Sequence, residues 1–171
     1  LPPRILIDGR SGSGKTEFAR TLAAGLPGAQ LVRLDDLYPG WGGLEGGSIA
    51  VHTDVLSHFR WRRFDWATDS LAEWHELDPA LPIVVEGCGA LSVANRALAT
   101  LGLWVELDDA TRKRRALLRD GDSYAPHWDD WAAQEDVFIA RERPRERADA
   151  IVDGVDVTTE LLRWHTLSAA T

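Results

Sequence analysis

Apolar residues follow two alternating rhythms along this chain. Short, nearly continuous apolar runs bounded by Gly or Pro stand at residues 4–8 (RILID), 29–34 (AQLVRL), 81–87 (LPIVVEG), 101–107 (LGLWVEL) and 148–154 (ADAIVDG). Such runs predict strands buried on both faces of a parallel sheet. Between them, apolar residues recur at helical spacing in 16–26 (TEFARTLAAGL), 48–59 (SIAVHTDVLSHF), 92–100 (SVANRALAT), 108–120 (DDATRKRRALLRD), 127–143 (HWDDWAAQEDVFIARER) and 157–167 (VTTELLRWHTL). Gly25, Pro27 and Gly28 stop the first helix. Residues 39–48 are so rich in glycine that they read as a mobile loop, and RWRRFDW (60–66) alternates aromatic and charged residues as an exposed strand would. Strands alternating with helices predict an α/β fold with a mostly parallel central sheet of about five strands in one domain, 1–171.

A chain of 171 residues is long enough for one real hydrophobic core. The formal charge of −8 argues against a general affinity for nucleic acid or anionic membranes, so any polyanion it binds is small and held locally. Its single cysteine, Cys88, cannot form an internal disulfide, and no apolar run is long enough to span a bilayer. A cytoplasmic setting is expected. His52, His58, His75 and His127 show no metal-ligand spacing.

The chemistry starts at GRSGSGKT, residues 9–16, which satisfies G-x-x-x-x-G-K-[ST] between a predicted strand and a predicted helix. Gly9, Gly12 and Gly14 let the backbone of Arg10, Ser11 and Ser13 curl so that amides face an anion, and the helix beginning at Lys15 adds the positive end of its dipole. Lys15 reaches the β- and γ-phosphates of a nucleotide in this motif, and the Thr16 hydroxyl ligates Mg²⁺. No N-K-x-D or D-x-x-G motif accompanies the loop, which argues against a GTPase. Glu86, ending LPIVVEG, is the acidic residue expected to hold the metal directly or through water.

Four stretches together resemble the uridine kinase and phosphoribulokinase-like family of P-loop small-molecule kinases. IDGRSGSGKTEFARTL is similar to that family's opening, LDDLY (34–38) to its D-x-F-Y stretch, VVEG (84–87) to its F-E-G, and ATRKRRALLRD with ERADAIVDG to its Arg-bearing lid helix and A-D-x-I-I strand. The resemblance implies a three-layer α/β/α P-loop NTPase fold with a short lid near 112–130 and an acceptor segment near 35–69. It also implies ATP and Mg²⁺ as cofactors and a small-molecule hydroxyl as acceptor, most naturally of a nucleoside; a pantothenate-like or sugar acceptor and a non-catalytic ATP-binding regulator remain alternatives. Asp35 matches the family's catalytic base and would also lie near the metal, with the adjacent Asp36 as the other possibility. A carboxylate there suits the chemistry, because transfer to an alcohol needs a proton acceptor beside the phosphate loop. Arg112, Arg115 and Arg119 share a helix face and form the expected lid cluster, whereas Arg141, Arg143, Arg145 and Arg147 read as a surface run. RRFDWATDS stands where the family carries a nucleoside-reading hairpin; Phe64 and Asp65 match its Tyr-Asp, but Asp69 falls near the place of its histidine. Asp36, Tyr38, Trp41, Arg62, Phe64, Asp65 and Trp66 are therefore the candidates for the acceptor pocket.

Overall fold

The computed structural model describes residues 1–157 and 159–161. The strands, in chain order, are β1 (Arg4–Asp8), β2 (Gln30–Arg33), β3 (Arg60–Asp65), β4 (Ser70–Glu76), β5 (Ile83–Glu86), β6 (Leu101–Glu106) and β7 (Ala150–Asp153). The helices are α1 (Lys15–Ala24), α2 (Leu44–Ala50), α3 (Val93–Ala97), α4 (Asp109–Asp120), α5 (Trp128–Glu142) and α6 (Pro144–Arg147). Five strands form one parallel sheet in the order β2-β5-β1-β6-β7, and β3 and β4 form a separate antiparallel hairpin.

The period of two along each strand divides the interior into two cores, as it must when both faces of a sheet are covered. Ile5, Ile7, Val84, Leu103 and Val105 pack on Phe18 and Ala19 of α1 and on Val157 and Leu161. Their neighbours Leu6, Ile83 and Val85 point the other way, into a core shared with Leu44 of α2, Ala116 of α4 and Trp131 and Phe138 of α5. The result is a three-layer α/β/α arrangement. Side-chain caps set the helix starts: Asp108 accepts the Thr111 N–H at α4 and Ser92 accepts the Asn95 N–H at α3.

Two segments depart from the sequence expectation. The glycine-rich stretch 39–48 is helical from Leu44 onward. A Cβ on Gly47 would lie 2.5 Å from Tyr38 Cδ1, so this glycine serves close packing on the tyrosine ring rather than mobility. The helix expected over 48–59 instead closes with one π-helical turn, Val51–Val55, sealed by the Leu56 N–H donating to Val51 O (2.9 Å). RWRRFDW supplies β3, as its alternation suggested, with β4 returning against it. Of the closing helix expected over 157–167, residues 157 and 159–161 are helical; the remainder lies outside the described residues. Among the described residues no helix is long and apolar enough to cross a membrane.

Candidate active site

The sheet brings the C-terminal ends of β1, β2 and β5 together, and the predicted chemistry sits on the turns that leave them. Residues 9–14 connect β1 to α1, with Gly12 and Gly14 at φ +79° and +95°. The loop is held by protein on its outer side. The Ser11 N–H donates to Glu135 Oε2 (2.7 Å), its carbonyl accepts from Arg112 Nη1 (3.0 Å), and its hydroxyl accepts from Tyr124 (2.8 Å). Arg10 pairs with Glu135 (3.3 Å) and Asp136 (2.8 Å). Burial works to lower the Lys15 pKa, but Cys88, Glu86, Asp35 and Glu135 around it raise it above the usual lysine value, so its ammonium stays charged.

A connected set of polar side chains runs from the loop to the acidic pair. Thr16 Oγ1 donates to Glu86 Oε1 (3.0 Å), Arg33 Nε reaches the same oxygen (3.4 Å), and Arg33 Nη2 reaches Asp35 Oδ2 (3.5 Å). Glu86 is buried, whereas the Asp35 side chain is 56% exposed. Asp35 and Asp36 lie in a 3-10 turn, Leu34–Asp36, immediately after β2, so strand alternation does not govern where they point. Asp36 is half-buried, and burial raises its pKa against the pull of Arg33.

Two cavities meet here. One, of ≈ 540 Å³, is lined by Gly12, Gly14, Thr16, Arg33, Arg115 and Arg119 among others. The second, of ≈ 420 Å³, has aromatic walls from Tyr38, Trp41, Trp66, Tyr124 and Trp131, with Asp35, Cys88, Arg119 and Asp120 at its polar end. Trp41 stacks on His127 (4.2 Å between centroids, 9°), and the Trp66 indole N–H donates to the Asp35 carbonyl (2.9 Å). The Tyr38 hydroxyl is spent on the Cys88 carbonyl (2.7 Å), so the tyrosine offers the cavity its ring.

The three arginines expected to form a lid cluster do three different things. Arg112 is buried behind the phosphate loop, on the Ser11 carbonyl and Asp109, and lines neither cavity. Arg115 faces the first cavity while donating to Gly154 O (2.8 Å). Arg119 lines both cavities and pairs with Asp120 (2.8 Å). Of the residues expected at an acceptor pocket, Asp35, Tyr38, Trp41 and Trp66 line the aromatic cavity, but Asp36, Arg62, Phe64 and Asp65 do not. Arg62 donates to Ala72 O across the hairpin (2.9 Å), Phe64 packs edge-on to Trp66 (5.3 Å), and Asp65 accepts the Ala67 N–H (2.9 Å). Arg141 and Arg145 pair with Glu45 and Glu106 on the surface.

Sequence reasoning missed Tyr124, Trp131, Glu135 and Asp8. Glu135 had a signal: it falls between Trp131 and Phe138 on the buried stripe of α5, where an unpartnered carboxylate would not be tolerated. Asp8 ends β1 and accepts the N–H groups of Gly9 (2.7 Å), Gly89 (3.2 Å) and Leu91 (2.9 Å), tying the loop after β5 to the phosphate loop. Burial pushes its carboxyl up to about 7, although those amides and Lys15 pull it down. Between about pH 4, the unfolded value, and pH 7 the native chain therefore holds a proton that the unfolded chain has lost, so this group makes stability fall as pH rises through that window. Urea unfolding at pH 5 and pH 7.5 should show that decline, and Asp8→Asn should flatten it; equal slopes for the two proteins would refute the assignment.

No protein-family model matches the chain, and no curated protein matches it in sequence. Solved structures do match. A possible uridine kinase from Bacillus stearothermophilus superposes with a TM-score of 0.60 at 19% identity, over 89% of each chain. A gluconokinase from Sinorhizobium meliloti 1021 gives 0.58 at 18% identity, over 95% of this chain and 88% of that one. A shikimate kinase from Bacteroides thetaiotaomicron gives 0.58 at 16% identity, over 98% of both. The fold is that of the P-loop kinases. Within that P-loop kinase fold, the glycine-rich turn after β1, the acidic turn after β2 and the buried glutamate ending β5 surround one point at the edge of the sheet. The stretch near 112–130 expected to form a lid comprises most of α4, the two 3-10 turns Gly121–Ser123 and Ala125–His127, and the start of α5.

Proposed function

We propose that this chain is an ATP-dependent kinase of the cytoplasm that transfers the γ-phosphoryl group to a hydroxyl of a small molecule, with a nucleoside as the first acceptor to test. The observation that carries this reading is the continuity from Thr16 through Glu86 and Arg33 to Asp35, which joins a phosphate-loop cavity to an aromatic-walled one. In this reading residues 9–16 hold the nucleotide phosphates, and Lys15, Arg115 and Arg119 face the charge that spreads over the migrating group. Arg112 acts from behind by fixing the loop. Asp35 takes the acceptor's proton, with Asp36 beside it, half-buried and less open to substrate. Trp41, Trp66, Tyr124 and Trp131 provide flat faces for a ring-bearing acceptor.

The donors next to the phosphate loop are hard oxygens, the Thr16 hydroxyl and the Glu86 carboxylate, with Asp35 two contacts away. That set fits Mg²⁺, which Thr16 and Glu86 would hold. When bound, Mg²⁺ neutralises charge on the phosphate oxygens. The test is a panel of nucleosides, sugars, sugar acids and vitamins incubated with the protein and Mg·ATP and read by mass spectrometry. The gain of one phosphate by an acceptor, strongest among nucleosides, is the expected result. ATP bound but no acceptor phosphorylated across the panel would favour a regulatory protein instead.

A further inference from the structure

Ser11 is gripped on all three of its polar atoms by the segment that follows β6, and the three contacts are not equivalent. Arg112 and Glu135 reach it from behind the loop and line neither of the two large cavities. Tyr124 is different. It is only 5% exposed, its hydroxyl donates to Ser11 Oγ (2.8 Å), and its ring is itself a wall of the aromatic cavity. That ring stacks on Trp41 (5.3 Å, 29°) and meets Trp128 edge-on (5.5 Å). A phenol is rigid from ring to oxygen, so displacement of the aromatic wall displaces the hydroxyl, and displacement of Ser11 pulls on the wall.

We infer that Tyr124 is a positioning residue that keeps the phosphate loop in register with the acceptor cavity. Occupancy of residues 9–16 by a nucleotide is then felt at the Trp41 stack, and an acceptor against Trp41 is felt at the loop. The coupling is reciprocal, because two ligands that bias the same contact must affect each other's binding equally. The inference rests on the reading of residues 9–16 as a nucleotide-phosphate loop. It gives the short lid a role beyond covering the site: Tyr124 lies between its two 3-10 turns, where α4 hands over to α5.

The full chain labelled with 5-fluorotryptophan provides the test, with the Trp41 fluorine resonance assigned by its loss in Trp41→Phe. Mg·ADP is the probe, and calorimetry fixes the concentration that saturates each protein. In the unsubstituted chain the Trp41 resonance should shift with the calorimetric midpoint. Tyr124→Phe keeps the ring and the stack but removes the hydroxyl; Ser11→Ala keeps the phenol but removes its acceptor. Both should leave the Trp41 resonance in place at saturation, and the double variant should behave like either single one. A shift in Tyr124→Phe as large as in the unsubstituted chain overturns the proposal, as does a saturated, unsubstituted chain whose Trp41 resonance stays still. If the unsubstituted chain binds no Mg·ADP, the phosphate-loop reading falls and takes the proposal with it, an outcome that calorimetry alone distinguishes from the other two.

Discussion

Asp35→Asn is expected to lower phosphoryl transfer by roughly 10²–10⁴-fold, the range a lost general base costs, while nucleotide affinity changes little. The substitution keeps shape and removes the proposed proton acceptor. The Asp35 side chain is exposed, with Arg33 at 3.5 Å as its ion-pair partner, so folding does not depend on its charge. Trp66 holds its backbone carbonyl rather than its carboxylate, and that bond survives the change. Single-turnover transfer to the best acceptor of the panel, together with Mg·ADP calorimetry, separates the two effects. Transfer at the unsubstituted rate would move the base to Asp36, and Asp36→Asn is then the variant to fail.

Gly12→Ala should be strongly damaging both to folding and to nucleotide binding. A Cβ there would stand 2.1 Å from the Arg112 carbonyl oxygen and 2.8 Å from its carbon, both backbone atoms that cannot rotate aside. The residue also has φ +79°, a conformation that costs an alanine about 1–2 kcal/mol before any clash. Relief requires α4 to move off the loop, which would break the Arg112 bond to Ser11 and the packing of Ala116 behind it. Urea unfolding should show a loss of at least about 2 kcal/mol, given what strained backbone and overpacked contacts cost. Mg·ADP binding should fall below detection. Gly42→Ala is the matched control, because a Cβ there meets nothing within 4 Å. Unsubstituted affinity in Gly12→Ala would show that α4 does not support the loop.

The parts of this site that were legible in the sequence are those that local rules place. A glycine-rich turn between an apolar run and a helix must sit at the end of a strand, and carboxylates at the same ends of other strands of a parallel sheet fall on the same edge. Hence residues 9–16, Asp35 and Glu86 could be located before any coordinates. Depth is not local. Periodicity put Arg112, Arg115 and Arg119 on one face of α4 but could not say that the first is buried under the loop while the third stands between two cavities. The hairpin shows the same limit: its first strand was readable as alternation, yet that Arg62 turns to the Ala72 carbonyl of the returning strand was not. At Gly46 and Gly47, propensity misled, since each glycine costs a helix about 1 kcal/mol. The fit of α2 against Tyr38 and Pro39 overrides that cost.

The hairpin β3–β4 adds no strand to the central sheet and pairs with itself, while the indole that follows β3 holds the backbone of the Asp35 turn. Through that bond Trp66, one wall of the aromatic cavity, and the backbone of the Asp35 turn are tied together without a strand of the hairpin entering the central sheet. Exchanging residues 60–76 would therefore change one wall of the aromatic cavity, Trp66, and leave Tyr38, Trp41, Tyr124 and Trp131 in place.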